Sequence, residues 1–173
     1  AYIGRKTASI LPVILDASPG GSKMLKLLAL DLGTTTGYCC GTKEHHVSGT
    51  WGLKQDRFAG GGQRFVKFRG HLNEIYNAYK FDRVVFEEVR RHLGTDAAHV
   101  YGGLLAMLTA WCEEHSIPYQ GVPVGTIKKF ATSKGNASKA DIIAAVRSWG
   151  YEPDDDNAAD AIALFKQQCS TNI

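Results

Sequence analysis

Apolar residues fall into short runs in the first part of the chain and into helical repeats in the second. Three runs, at residues 25–30, 38–41 and 47–53, have the length and composition of β-strands, and short polar turns separate them. Successive strands joined by short turns predict an antiparallel meander.

Helical periodicity begins after the glycines at residues 60–62. Apolar residues then recur every three or four positions in four segments, which predicts four amphipathic helices. These helices are predicted at residues 65–79, 100–111, 142–149 and 158–165. Two more apolar runs, 83–89 and 118–122, predict strands between them. This order predicts an α/β fold with a mixed five-stranded sheet, its first three strands antiparallel, flanked by helices.

The first 23 residues differ from the rest and end in a turn-rich Ser-Pro-Gly-Gly-Ser-Lys segment. We interpret residues 1–23 as an N-terminal extension and residues 24–173 as a single domain, with Met24 as a natural start. The extension is poor in acids, so organellar targeting stays open, although a cytoplasmic location is the main expectation.

Composition narrows the class of protein. The chain has 173 residues, of which 44% are hydrophobic and 21% charged, enough for one core. No apolar run approaches the ~20 residues of a membrane span. Four cysteines show no zinc-binding or disulfide spacing, which favours a reducing compartment. The net charge is +3, of which the first 23 residues carry +2, so overall charge does not by itself indicate a nucleic-acid partner.

Acidic residues lie at the ends of predicted elements. Asp31 ends the first strand, Glu87 ends the fourth, and Asp156 and Asp160 begin the last helix one turn apart. A central strand and its parallel neighbour end at one sheet edge, so these carboxylates can meet there. Clustered oxygen ligands suit Mg²⁺ or Mn²⁺, and two such ions support phosphodiester hydrolysis. Asp31 is the candidate bridging ligand, and Glu87, Asp160 and either Asp156 or Asn157 are the candidates that complete the coordination.

Each acid also has an ordinary structural explanation. Asp31 can shape a turn, Glu87 can be a solvated strand end, and acids at residues 154–156 can cap a helix. Their joint occurrence at strand ends and a helix start favours a site.

Basic residues accompany these acids and suit a polyanionic substrate, although they can equally form a solubilising surface. The candidate DNA-binding residues are Arg90, Arg91, His92, Lys128, Lys129, Lys134 and Lys139. The segment 133–139 is predicted to enter a helix, capped by Asn136 or Ser138, and to hold a phosphate.

Four segments in order resemble RuvC-type Holliday-junction resolvases, most closely their phage-like branch. They contain LLALDLG with TGY (27–33, 36–38), VFEEV (85–89), TIKK with GNASK (126–129, 135–139) and DNAADAIAL (156–164). The resemblance implies an RNase H-like fold, a homodimer, branched DNA as substrate and two Mg²⁺ ions per active site, with Mn²⁺ as a substitute.

The resemblance also implies roles for single residues. Asp31 and Glu87 match the first-strand and second-strand acids, and Asp160 matches the final helical acid. The family usually has an acid or His where this chain has Asn157, so either Asn157 ligates through its amide oxygen or Asp156 takes that role.

Two basic positions also match the family. Lys139 falls at the position where the family has a lysine near the scissile phosphate. Arg90 stands where some members place an aromatic residue beside the junction.

The expected function is therefore structure-selective cleavage of four-way and other branched DNA. One alternative is a non-catalytic branched-DNA-binding module. Another is an actin-like or sugar-kinase-type phosphate-binding domain, because residues 31–37 also resemble the first phosphate-binding turn of those proteins. A third alternative is a ribonuclease specific for RNA–DNA hybrids. We expect no nucleotide cofactor and no membrane partner.

The apolar face of residues 100–111, with Tyr101 and Met107, is either a dimer interface or core.

Overall fold

A mixed five-stranded sheet forms the centre of the fold. The computed structural model describes residues 24–58, 60–90 and 94–171. The strands are β1 (Leu27–Asp31), β2 (Thr35–Gly41), β3 (His46–Gly52), β4 (Arg83–Glu88) and β5 (Tyr119–Pro123). They lie in the order β3-β2-β1-β4-β5. The predicted antiparallel meander of β1 to β3 is confirmed, and β4 and β5 run parallel to β1.

The described residues form five α-helices. They are α1 (Gln63–Tyr79), α2 (Thr95–Glu114), α3 (Val124–Thr132), α4 (Lys139–Ser148) and α5 (Asp156–Thr171). The apolar pattern predicts all of them except α3. That helix has only nine residues, so its apolar repeat of Val124, Ile127 and Phe130 is too short to stand out from the flanking sequence.

The two faces of the sheet carry separate hydrophobic clusters. Alternate side chains along a strand point to opposite faces. Leu28 and Leu30 of β1 therefore pack with α1 and α2, while Leu27 and Ala29 pack with α3, α4 and α5. Asp31 continues the alternation of Leu27 and Ala29, so its side chain points to the face covered by α5.

The apolar face of residues 100–111 belongs to the monomer core, which is the second of the two alternatives that the sequence left open. Leu104, Leu108 and Trp111 are fully buried between α2 and the sheet, and Tyr101 is buried with them. Met107 is partly buried against the same cluster.

Several sequence interpretations concern residues outside the described part of the chain. These are the N-terminal extension, 1–23, and two candidate DNA-binding residues, Arg91 and His92. Within the described part, no helix has the length and apolar character needed to cross a bilayer.

Candidate active site

The parallel pairing of β1 and β4 brings two acids to one edge of the sheet. The register pairs Leu30 with Phe86, so Asp31 and Glu87 follow at the same level. Both continue the face formed by Ala29 and Val85, which packs against α5. The predicted convergence of these two carboxylates is therefore confirmed by the topology.

Helix α5 supplies the third acid because it crosses the sheet very close to β2. Gly37, which pairs with Asp31, lies under the first turn of α5. A Cβ atom at Gly37 would lie 1.9 Å from the backbone oxygen of Asn157. Only glycine leaves room for this approach. Asp155 caps the helix, its Oδ1 accepting from the Ala158 amide at 2.8 Å, and Asp160 follows one turn into the helix.

The three carboxylates interact electrostatically. Burial, followed by the charges of Glu87 and Asp160, raises the pKa of Asp31 well above its usual range. Burial and the charge of Asp160 raise the pKa of Glu87 to about 7. Burial also raises the pKa of Asp160 to about 6. Crowded, partly desolvated carboxylates of this kind are typical of functional sites.

Two predicted basic residues lie beside this acid cluster. Lys139, the first residue of α4, lowers the pKa of Asp31, Glu87 and Asp160, and Lys128 of α3 lowers the pKa of Glu87 and Asp160. The predicted cap of α4 is Ser138, which forms a capping box with Asp141. This cap fixes the start of α4 and therefore the position of Lys139.

Asp156 differs from the other three acids. Lys139 Nζ donates to Asp156 Oδ2, and this hydrogen bond lowers the pKa of Asp156 and raises that of Lys139. The Lys139 side chain is 73% exposed, so the pair adds little to stability. Its main consequence is to hold the lysine next to the acid cluster.

The donor set fits a divalent cation. Neighbouring carboxylates, as well as burial, raise the pKa values of Asp31 and Glu87, and hard oxygen donors are the ligands that Mg²⁺ prefers. Among the described residues, no group of three or more Asp, Glu, His or Cys side chains is already arranged to hold a metal ion. A cation held by these residues would need their side chains to turn toward a common point.

The other predicted DNA-binding residues lie farther out. Arg90, two residues after the end of β4, is exposed and pairs with Glu88 at 3.3 Å. Lys129 lies in the last turn of α3. Lys134 lies on the loop before α4, where it lowers the pKa of Asp141.

The Gly-Thr turn after β1 uses its polar groups internally. Thr36 is fully buried, and its hydroxyl donates to the Gly33 carbonyl at 2.8 Å and accepts from the Gly33 amide at 3.4 Å. A phosphate-binding turn presents such groups to its ligand. This geometry does not favour the actin-like alternative.

Sequence analysis missed the role of Tyr101. Its hydroxyl donates to the Glu87 carbonyl at 2.9 Å and accepts from the Val89 amide at 3.2 Å. Tyr101 thus holds the end of β4 in place and so fixes the backbone that carries Glu87. A buried tyrosine needs such partners, but the sequence does not reveal which ones.

Comparisons with known proteins show the same architecture. No protein-family model matches the chain, and no curated protein matches it significantly. Among solved structures, Thermus thermophilus RuvC in complex with a Holliday-junction substrate has a TM-score of 0.70 and 18% identity, covering 83% of this chain and 92% of that one. The structure of Thermus thermophilus RuvC itself gives a TM-score of 0.66 at the same identity and coverage.

A eukaryotic structure also matches. The yeast mitochondrial Holliday junction resolvase Ydc2 has a TM-score of 0.59 and 13% identity, covering 84% of this chain and 78% of that one. Identities at this level establish a shared fold. The chain therefore has the RuvC-type, RNase H-like fold that its sequence motifs predict.

Proposed function

We propose that this protein is a structure-selective endodeoxyribonuclease that resolves four-way and other branched DNA by paired, metal-dependent hydrolysis. The observation that supports it most is the meeting of Asp31, Glu87 and Asp160 at one sheet edge. These acids occupy the edge of a fold shared with a RuvC bound to a Holliday-junction substrate.

The reaction is hydrolysis of a phosphodiester. Water adds to phosphorus, the bond to the 3′ oxygen breaks, and the products are a 5′-phosphate and a 3′-hydroxyl. No covalent enzyme intermediate is needed. The lysines stabilise negative charge on the phosphate: Lys139 lies beside the acid cluster, and Lys128 lies on its α3 side.

Asp31, Glu87 and Asp160 would hold the cation, with Asn157 or Asp156 as a further ligand. Bound Mg²⁺, or Mn²⁺ in its place, supplies positive charge that makes water a better nucleophile and stabilises the leaving oxygen. The acid cluster is half-buried, which limits competing bulk water and strengthens its attraction for a cation.

Symmetric resolution of a junction requires two active sites, which a two-fold homodimer supplies. We include this homodimer in the proposal, with its interface outside the apolar face of α2. Sedimentation of the protein with and without a four-way junction measures whether the homodimer forms. Only monomer at working concentrations, in both conditions, would contradict paired cleavage.

The central test compares three labelled substrates: a four-way DNA junction, a linear duplex and an RNA–DNA hybrid. Each is incubated with Mg²⁺ and with EDTA. We expect cleavage of the junction alone, and only with Mg²⁺. Cleavage of the hybrid would indicate a ribonuclease instead, and tight junction binding without cleavage would indicate a binding module.

Replacing Asp156 by Asn is expected to slow cleavage about tenfold, the loss typical of a group that orients an active-site residue. Asp156 holds Lys139 beside the acids, so its loss frees the lysine. Isothermal titration with Mn²⁺ tests the alternative that Asp156 is itself a metal ligand. Unchanged Mn²⁺ affinity is expected, whereas a loss of Mn²⁺ affinity as large as the loss of rate would make Asp156 a metal ligand.

Replacing Glu87 by Gln is expected to stabilise the metal-free protein above neutral pH. The pKa of Glu87 is about 7 in the fold against 4.5 ordinarily. Between these values the folded chain binds more protons than the unfolded chain, so the free energy of unfolding falls as the pH rises. The gain from Gln should be small near pH 4.5 and reach on the order of 2–3 kcal/mol above pH 7.

Urea unfolding in EDTA at several pH values measures this gain. Glu88→Gln is the matched control, because Glu88 is the adjacent residue and its side chain is 39% exposed. A gain for Glu87→Gln that does not depend on pH would show that a charged Glu87 does not destabilise the fold.

A further inference from the structure

The loop between β3 and α1 presents an aromatic side chain to solvent. Phe58 is 92% exposed, more than any other large hydrophobic residue in the described part of the chain. Phenylalanine is normally buried, so its exposure at a loop tip contributes nothing to the core. A single exposed apolar side chain is common and needs no partner, so the surroundings of Phe58 carry the argument.

The base of this loop is held by hydrogen bonds. The Gln55 side chain donates to the Gly60 carbonyl at 2.7 Å and accepts from Arg64 at 2.5 Å. The Gln63 amide also donates to the Gly60 carbonyl, at 3.0 Å. These bonds close the loop on itself, so Phe58 is carried at the tip of a tied loop.

The loop begins at the sheet edge that carries the acids. The Leu53 amide donates to the Thr34 carbonyl at 2.8 Å, and Thr34 lies in the turn that follows Asp31. A cleft of about 780 Å³ separates the loop from the start of α2; Gln55, Arg64 and the turn at Gly33 contribute to its walls. A nucleic-acid strand at the acid cluster would therefore pass close to this loop.

The charge of the loop suits DNA. Lys54 and Arg57 are exposed on either side of Asp56, and Arg64 follows at the start of α1. Cations that flank an exposed aromatic ring are the usual combination for unpaired bases, because the ring stacks on the base and the cations contact the phosphates.

We propose that Phe58 stacks on an unpaired base of the branched DNA beside the acid cluster, with Lys54 and Arg57 contacting the adjoining backbone. The inference rests on the proposed function, since base pairs at a branch point lack a continuous stack and open more easily than those of a linear duplex. It adds a base-contacting residue that confers selectivity for branched over linear DNA.

Photocrosslinking tests the contact directly. The cleavage-inactive Asp31→Asn protein is bound to four-way junctions that carry 5-iododeoxyuridine at single positions near the crossover, and irradiation joins this base to an aromatic ring stacked on it. We expect a crosslink at Phe58, located by mass spectrometry of the tryptic peptide. Crosslinks confined to other residues at every position would overturn the proposal.

Affinity measurements complete the test. Phe58→Leu should weaken junction binding about tenfold, as expected for loss of one stacked base, and leave linear-duplex binding unchanged. Phe58→Trp should retain junction binding. The control is Val66→Ala on α1, which removes another exposed apolar side chain, 64% exposed, and should change neither affinity.

Two outcomes separate this inference from the proposed function. If Phe58→Leu leaves junction affinity unchanged while the unmodified protein still cuts junctions, the stacking role is wrong and the nuclease proposal stands. If the unmodified protein neither binds nor cuts junctions, both are wrong.

Discussion

Asp31→Asn is expected to lower junction cleavage by at least about 10²-fold, the scale on which loss of one charge-stabilising group acts, while junction binding is retained. Asp31 lies where β1 meets β4 and α5, and its pKa responds to Glu87, Asp160, Lys139 and Asp156. Its carboxylate therefore lies at the centre of the proposed cation site. The change to Asn preserves shape and removes the charge.

The measurements are single-turnover cleavage with Mg²⁺ and junction binding in EDTA. Glu88→Gln is the matched control: Glu88 follows Glu87 on the same strand, but its exposed carboxylate pairs with Arg90. The control should cut at nearly the wild-type rate. If the Asp31→Asn protein cuts as fast as the control, the active site is assigned to the wrong residues.

Gly37→Ala is expected to cost about 3 kcal/mol of unfolding free energy or more, at the upper end for overpacking, and to abolish cleavage. The added Cβ would lie 1.9 Å from the Asn157 oxygen and 2.4 Å from its carbonyl carbon. Both are backbone atoms, so no side-chain rotation relieves the clash. The first turn of α5 must move away from β2 and carry Asp160 with it.

Urea unfolding and the junction assay measure both effects. Gly52→Ala on β3 is the control, because a Cβ there has no atom within 4 Å, although Gly52 is also in a strand. We expect the control to unfold at nearly the wild-type urea concentration. A Gly37→Ala protein with wild-type stability would show that α5 does not need the close approach that positions Asp160.

Much of the architecture follows from local patterns. The alternation of apolar runs and helical repeats predicts the five strands, four of the five helices and the antiparallel start of the sheet. The same patterns place Asp31 and Glu87 at strand ends, and the parallel β1–β4 register confirms that they share an edge. Helix α3 is the exception, since its nine residues hold too short an apolar repeat to stand out.

Other assignments depend on contacts between distant parts of the chain. The apolar face of residues 100–111 fits a core or an interface equally well, because hydrophobicity does not specify what covers it. Docking of α2 on the sheet decides the question: Trp111 is fully buried and its indole donates to Asn73 of α1 at 2.8 Å. The roles of Tyr101 and Gly37 arise in the same way.

The sequence by itself determined the order of the elements and which acids and lysines stand at their ends, because strand and helix periodicity is a local property of the chain. The tertiary structure alone decided which of these groups meet. Lys139 and Asp156 are 17 residues apart and pair because α4 and α5 pack together. Asp160 reaches the sheet edge because Gly37 leaves space for α5. Such contacts depend on the distances between packed elements, which no local pattern encodes.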